Sequence, residues 1–329
     1  MNINTNNISA NRYYSLDVLK CICAFLVVFL HIPSEFTYYY MPLTRIAVPV
    51  FFMISGYCIM GNDIEGKIRR SISRLLWLIL WSSAIYILVR FTLQHFSIQS
   101  VIPSVKDICK FLIFNENPWA PHLWYLNAYL YVLLIVAFIA KRKLWNIAYC
   151  LIPLLLIVDL AFGKYSLLLW KQEFDWIYVR NFLFVGLPYF LIGTFVRSKD
   201  WHIYKNQYVL IAGVILFSIT SYLERYILTS IGANAVREHY LSTTFLAFSV
   251  FLLALCIKTE KPNVLSNIGK KDSLYIYVFH MIVSAALSIV IARLPGVFGH
   301  VYSYIAPLVV FLTTIVLVII LRKIGAIKR

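Results

Sequence analysis

An all-α, polytopic integral membrane protein is the fold class this sequence predicts, and three observations predict it. The 329 residues are 61% hydrophobic and only 13% charged, against about 25% charged in an ordinary soluble domain. Mean hydropathy is +0.78, which is more apolar sequence than a soluble core can hide. The apolar residues also gather in runs of about twenty, the length that crosses a hydrocarbon core as a helix. Ten such runs occur, at approximately 16–34, 43–60, 75–93, 121–140, 144–162, 181–197, 208–224, 240–257, 273–292 and 303–321. No polar linker divides them. Residues 1–329 therefore read as one membrane domain, with an N-terminal segment (1–15), a ten-helix bundle (16–321) and a C-terminal tail (322–329).

The net charge of +16 has a membrane explanation, because Lys and Arg collect in cytoplasmic loops. With the N-terminus inside, nineteen of the thirty Lys and Arg residues fall on the cytoplasmic side and eight outside. Lys20, Arg45 and Arg90 lie within spans. Both termini are expected to be cytoplasmic, and no nucleic-acid-binding motif accompanies the basic charge. The opening MNINTNNISANRYYS is polar and no small-residue cleavage site follows, so no cleaved signal peptide is expected. The six cysteines form no C-x-x-C and no ligand-like pair with histidine. Neither a disulfide framework nor a metal site is expected.

The first span, LDVLKCICAFLVVFLH (16–31), carries two ionisable residues, Lys20 and His31. Charged and titratable groups inside a membrane are costly and mark function by default. Eleven residues are about three helical turns, so the two share one face, about 16 Å apart along the axis. Lys20 would lie near the inner mouth of a tunnel and His31 in its outer half; alternatively Lys20 snorkels to the interface and His31 merely ends the helix. Glu35 would orient His31 if the helix continued past Pro33. The second span opens with Arg45, an interfacial anchor or a clamp for an anion or carbonyl.

The segment GNDIEGKIRRSISR (61–74) reads as a cytoplasmic loop carrying Lys67, Arg69, Arg70 and Arg74. Topology accounts for part of that charge; guanidinium forks also suit phosphate oxygens, such as those of coenzyme A. The outer stretches 94–120 and 163–180 are rich in aromatics, either an interfacial belt or a platform for sugar rings. PHLWYLNAYL (121–130) puts His122 at the outer start of the fourth span. In LSNIGKKDSLYIYVFH (265–280), Asn267, Gly269 and Ser273 read as a turn leading into a capped helix. His280 then falls within the membrane as a hydrogen-bonded structural group.

Together these segments resemble the bacterial membrane acyltransferase-3 family, which includes O-antigen and enterobacterial common antigen acetyltransferases. The resemblance rests on Leu16, Asp17, Leu19, Lys20 and His31 as L-D-x-L-[RK]-x10-H, on Arg45 through Tyr57 as R-x-x-V-P-x-F-F-M-I-S-G-Y, on HLWYL (122–126) and on IGKKDSLYIYVFH (268–280). It implies a ten-helix domain that takes acyl groups, commonly acetyl, from cytoplasmic acyl-CoA to polar acceptors at the membrane. His31 matches the family's essential histidine and Lys20 its paired basic residue, with lysine in place of the commoner arginine. The family's R-x-x-R after the second span has no perfect counterpart; Lys67-x-x-Arg70 and Arg70-x3-Arg74 are nearest.

The chain is expected to be an O-acetyltransferase of the bacterial inner membrane, with acetyl-CoA as donor and no metal. Its partners would be acyl-CoA, membrane lipids and a cell-envelope polysaccharide or lipid-linked sugar. His31 would act as general base or transient acyl carrier, since imidazole titrates near neutral pH. Glu35 and Arg45 would assist it; Lys20, Lys67, Arg70 and Arg74 would hold CoA; His122, Trp124 and Tyr125 would meet the acceptor. The rival classes are a flippase for a lipid-linked sugar, a channel-like membrane protein, and an acyltransferase for succinyl or another acyl group.

Overall fold

The computed structural model describes residues 14–199, 206–235, 239–257 and 261–327. No strand occurs among them, as lipid requires: every backbone polar group must be satisfied within its own segment. The chain starts with α1 (Tyr14–His31), α2 (Thr37–Thr44), α3 (Ala47–Ile59) and α4 (Ile64–Leu93). A short helix α5 (Val105–Phe114) precedes α6 (Trp124–Arg142), α7 (Trp145–Phe162) and α8 (Ser166–Trp170). A widened turn at Phe182–Gly186 leads into α9 (Leu187–Ser198), then α10 (Gln207–Ser230), α11 (Leu241–Cys256) and α12 (Val264–Lys271). The last two helices are α13 (Ser273–Ile291) and α14 (Gly296–Lys323). Among the described residues, eight helical segments are long and apolar enough to cross a membrane, and Phe182–Ser198 and Leu241–Cys256 are shorter apolar helices. They fall at the ten expected positions.

Two boundaries differ from expectation, and both differences have local causes. α4 starts at Ile64, so the basic stretch read as a loop is helical from Ile64 onward. Asp63 starts it: its side chain accepts from the Gly66 N–H, the N-cap geometry that satisfies an orphan donor. Likewise the turn expected at Asn267 and Gly269 is the helix α12, started by a reciprocal capping box between Asn263 and Ser266. Ser273 opens α13 directly after it.

The contacts divide the chain into two units. The first comprises Met1–Thr37, Tyr204–Ala212 and Ser249–Arg329. Within it α1 packs on α12, α13 and α14, burying Leu16, Leu19, Cys23, Ala24, Val27 and Val28. α1 ends at His31, two residues before Pro33, because the residue ahead of a proline is pushed out of helical backbone. The second unit comprises Tyr38–Ile203 and Gly213–Phe248. Here α3 and α9 meet through glycines: a Cβ on Gly56 would overlap the Phe190 carbonyl, and one on Gly193 the Met53 carbonyl. Small residues let membrane helices approach to backbone contact, and Phe52 and Met53 of α3 and Phe190 and Leu191 of α9 are fully buried.

Candidate active site

In the first unit, Lys20 and His31 lie on the single helix α1, with the eleven-residue spacing that puts them on one face. The Lys20 ammonium donates to Asp17 Oδ1 at 3.1 Å. Lys20 is 29% exposed and Asp17 only 7%, so the lysine neutralises a carboxylate one helical turn back. Asp17 in turn lies where α12 approaches most closely, since its backbone carbonyl faces the Cα of Gly269. At the same end of α13 and α14, Arg322 donates to Asp272 and to the Lys271 carbonyl.

His31, half-buried, faces a second histidine. The His280 ring centroid is 5.4 Å from that of His31, with the planes tilted by 36°. His280 is fully buried, and its Nδ1 lies 2.8 Å from the Tyr277 carbonyl and 3.2 Å from that of Ile276. Glu35 lies beyond the helix end, so helical spacing does not bring it back to His31. Its side chain is exposed, and its backbone N–H donates to the Ser303 carbonyl at 3.1 Å.

The remaining expected site residues belong to the second unit. Lys67, Arg70 and Arg74 follow one another at three and four residues along α4 and so share a face. The Lys67 ammonium reaches the Ile59 carbonyl at 3.5 Å. Arg70 donates to Asp63 Oδ2 at 2.9 Å, and this hydrogen bond, the largest influence on it, holds the Asp63 carboxyl below its ordinary range. A shallow hollow of about 380 Å³ beside them is lined by Gly61, Asp63, Ile64, Glu65, Ala140 and Trp145. Its two carboxylates make it a poor anion site while Asp63 is ionised.

His122 sits on the one-turn helix ahead of α6, its ring 4.9 Å from that of Tyr86 in an edge contact. Trp124 and Tyr125 are buried. The Tyr125 ring packs edge-on against Phe52 at 4.8 Å, and the Arg180 guanidinium lies 5.5 Å above Trp124 and 3.8 Å above Trp176. Both are thus held inside the fold, leaving His122 as the one of the three with partial exposure.

The second unit also holds a polar cluster that the sequence reading passed over. Asp159 Oδ2 lies 3.0 Å from His239 Nδ1, and both side chains are almost completely buried. Lys164, also buried, donates to the Ala235 carbonyl at 2.7 Å and lies 4.6 Å above the Tyr240 ring. Glu224 accepts from the Leu241 and Ser242 N–H groups, capping α11, and Arg45 and Arg225 act electrostatically on Tyr240. Asp159 was the legible signal, as an acid within the apolar run LLLIVDLAF.

No curated protein and no solved structure matches the chain significantly. A family model described as an acyltransferase domain does match, over residues 13–322. That range contains α1 with Lys20 and His31, the basic face of α4, and His122 and His280, all in one continuous match. The chain belongs to the acyltransferase-3 family.

Proposed function

We propose that this multi-pass membrane acyltransferase is an O-acetyltransferase of the bacterial inner membrane. It would move acetyl from cytoplasmic acetyl-CoA to a hydroxyl of a cell-envelope polysaccharide or lipid-linked sugar. The observation that carries this reading is His31, a titratable residue at the end of a membrane helix, three turns from Lys20 on the same face. His31 takes the proton from the acceptor hydroxyl as that oxygen attacks the thioester carbonyl. A carbon–oxygen bond forms, the carbon–sulfur bond breaks, and the thiolate of CoA leaves with the proton that His31 received. Arg45 is assigned to the developing oxyanion, and Lys20, Lys67, Arg70 and Arg74 to CoA phosphates, on the chemistry of their side chains.

Mass spectrometry of envelope glycans from cells with and without the gene tests donor and acceptor together. One acetyl per repeat unit, lost on deletion and on His31→Ala, is the expected result. A succinyl difference would move the donor to another acyl-CoA. An unchanged set of glycans and envelope lipids would overturn the reading, as would acyl modification that survives His31→Ala.

A further inference from the structure

We propose that α5 is an interfacial helix. It does not cross the membrane but lies in its surface, with Val105, Ile108 and Leu112 among the acyl chains and Lys106 at the level of the headgroups. Its partner is the lipid bilayer. This needs only that α4 and α6 cross the bilayer, and the role of His31 does not enter.

The helix reads VKDICKFLIF. Ten residues are too few to span a hydrocarbon core and make a marginal helix in water. At 3.6 residues per turn, Val105, Ile108, Cys109, Leu112 and Ile113 share an arc of about 140°. Lys106 and Lys110 follow on one flank, and Asp107, Phe111 and Phe114 complete the circle. The protein holds the side away from the arc: Phe114 meets Tyr178 edge-on at 5.3 Å, and Lys110 pairs with Glu116 at 3.7 Å. The arc itself stays open among the described residues. Val105 is 78% exposed and Leu112 60%, and none of the ten residues is buried. Core packing therefore does not explain why these positions are apolar.

Depth, continuity and charge name what covers the arc. The Tyr131 hydroxyl donates to the Leu112 carbonyl at 3.1 Å and lies 3.4 Å from that of Phe111, two of the orphan acceptors at the end of α5. Tyr131 is seven residues, about 10 Å, along α6 from Trp124, and its side chain leans back toward that end. The end of α5 thus lies beside the first turns of a spanning helix, where headgroups give way to acyl chains. Exposed apolar residues also run along the chain from Leu88 and Leu93 of α4 through Ile98 and Ile102 to α5, so its arc continues the lipid-facing residues of a spanning helix. Trp119 holds the intervening stretch by donating to the Val101 carbonyl at 2.8 Å. Lys106, exposed on the flank, supplies the cation that lipid phosphates attract. A helix of this kind sinks its apolar face about 5–10 Å into the boundary. The ends of α5 suit that setting, with a reciprocal capping box between Ser104 and Asp107 at the start.

The test uses the full-length protein in vesicles of phosphatidylethanolamine and phosphatidylglycerol. Cys58, Cys109, Cys150 and Cys256 become serine, while the buried Cys21 and Cys23 stay. A nitroxide is then attached at Val105→Cys, Ile108→Cys, Leu112→Cys or Lys106→Cys, one at a time. The first three labels should collide more with oxygen, which dissolves in lipid, than with a water-soluble nickel chelate, at depths of about 5–10 Å. The Lys106→Cys label should show the reverse preference. A nickel preference at all four positions would put the arc in water and overturn the proposal. Labels on the arc shielded from both reagents would put it against protein, a second copy included, and overturn it equally. Wild-type protein provides an arm that needs no variant. A diazirine carried on a lipid acyl chain should insert into residues 105–113 as it does into α14, and adducts on α14 with none on α5 would overturn the proposal.

Discussion

The backbone carbonyl of Asp17 rests against the Cα of Gly269, with no room for a Cβ between α1 and α12. The obstacle is backbone on both sides, so a side-chain rotation cannot relieve it. Gly269→Ala should force the two helices apart and destabilise the first unit by about 1–3 kcal/mol, the usual cost of overpacking. Thermal unfolding in detergent micelles reads this out. A variant as stable as wild type would show that the approach is looser than the geometry states.

The ion pair beside that contact predicts an ordering of variants. Asp17 is the buried partner and Lys20 the part-exposed one, so removing either charge has unequal consequences. Lys20→Ala removes the cation beside a buried carboxylate, whereas Asp17→Asn leaves a lysine long enough to reach the interface. Lys20→Ala should be the more destabilising, by about 1–3 kcal/mol after discounting for the lysine's exposure, and Lys20→Arg should restore most of the loss. Equal melting temperatures for Lys20→Ala and Asp17→Asn would contradict this ordering.

The sequence shows the helices better than it shows the pairs. Lipid imposes both length and composition on a spanning helix, so the ten apolar runs mark ten apolar helices. The start of α4 escapes the same reasoning because Lys67, Arg69 and Arg70 depress local hydropathy while the helix, started by Asp63, simply continues through them. α12 escapes it because Asn267 and Gly269 favour turns in isolation. Its glycine is instead demanded by the approach of Asp17, a tertiary fact. The site divides in the same way. Spacing alone places Lys20 and His31 on one face, since one helix carries both. No local pattern places His280 beside His31 or His239 beside Asp159, because each pair joins segments far apart in the chain.

Asp63 yields a pH prediction. Its carboxyl sits below the ordinary range chiefly because Arg70 donates to it. A carboxyl with a lowered folded-state pKa contributes stability above its unfolded value and loses it as pH falls through the folded value. The Asp63–Arg70 pair should therefore be intact at neutral pH and survive acidification through the usual carboxylate range, breaking only below it. Carboxyl carbon NMR should find Asp63 titrating below exposed aspartates, and Arg70→Ala should return it toward them. Asp63→Asn should keep the cap to Gly66, since asparagine tolerates the left-handed backbone found there (φ 54°). It should also release Arg70, lowering KM for acetyl-CoA if that guanidinium meets CoA phosphate. A raised KM would assign Asp63 itself to binding.

The pair of Asp159 and His239 makes the sharpest stability prediction. Both side chains are about 95% shielded and only 3.0 Å apart, and the imidazole also faces the Tyr189 ring at 5.8 Å. Removing one member leaves the other buried without its counterpart, which costs about 3–5 kcal/mol, whereas replacing both with apolar residues of similar size is far milder. Asp159→Leu and His239→Leu should each lower the melting temperature strongly, and the double variant should be more stable than the sum of the two losses allows. A double-mutant cycle measures the difference directly, with a coupling of at least about 1.5 kcal/mol expected for contacting groups. Additive losses would mean that the two residues are held by their separate surroundings. Full coupling with acetyl transfer preserved would make the pair a structural clamp of the second unit. Full coupling with transfer lost in the stable double variant would place it in the path of the acceptor.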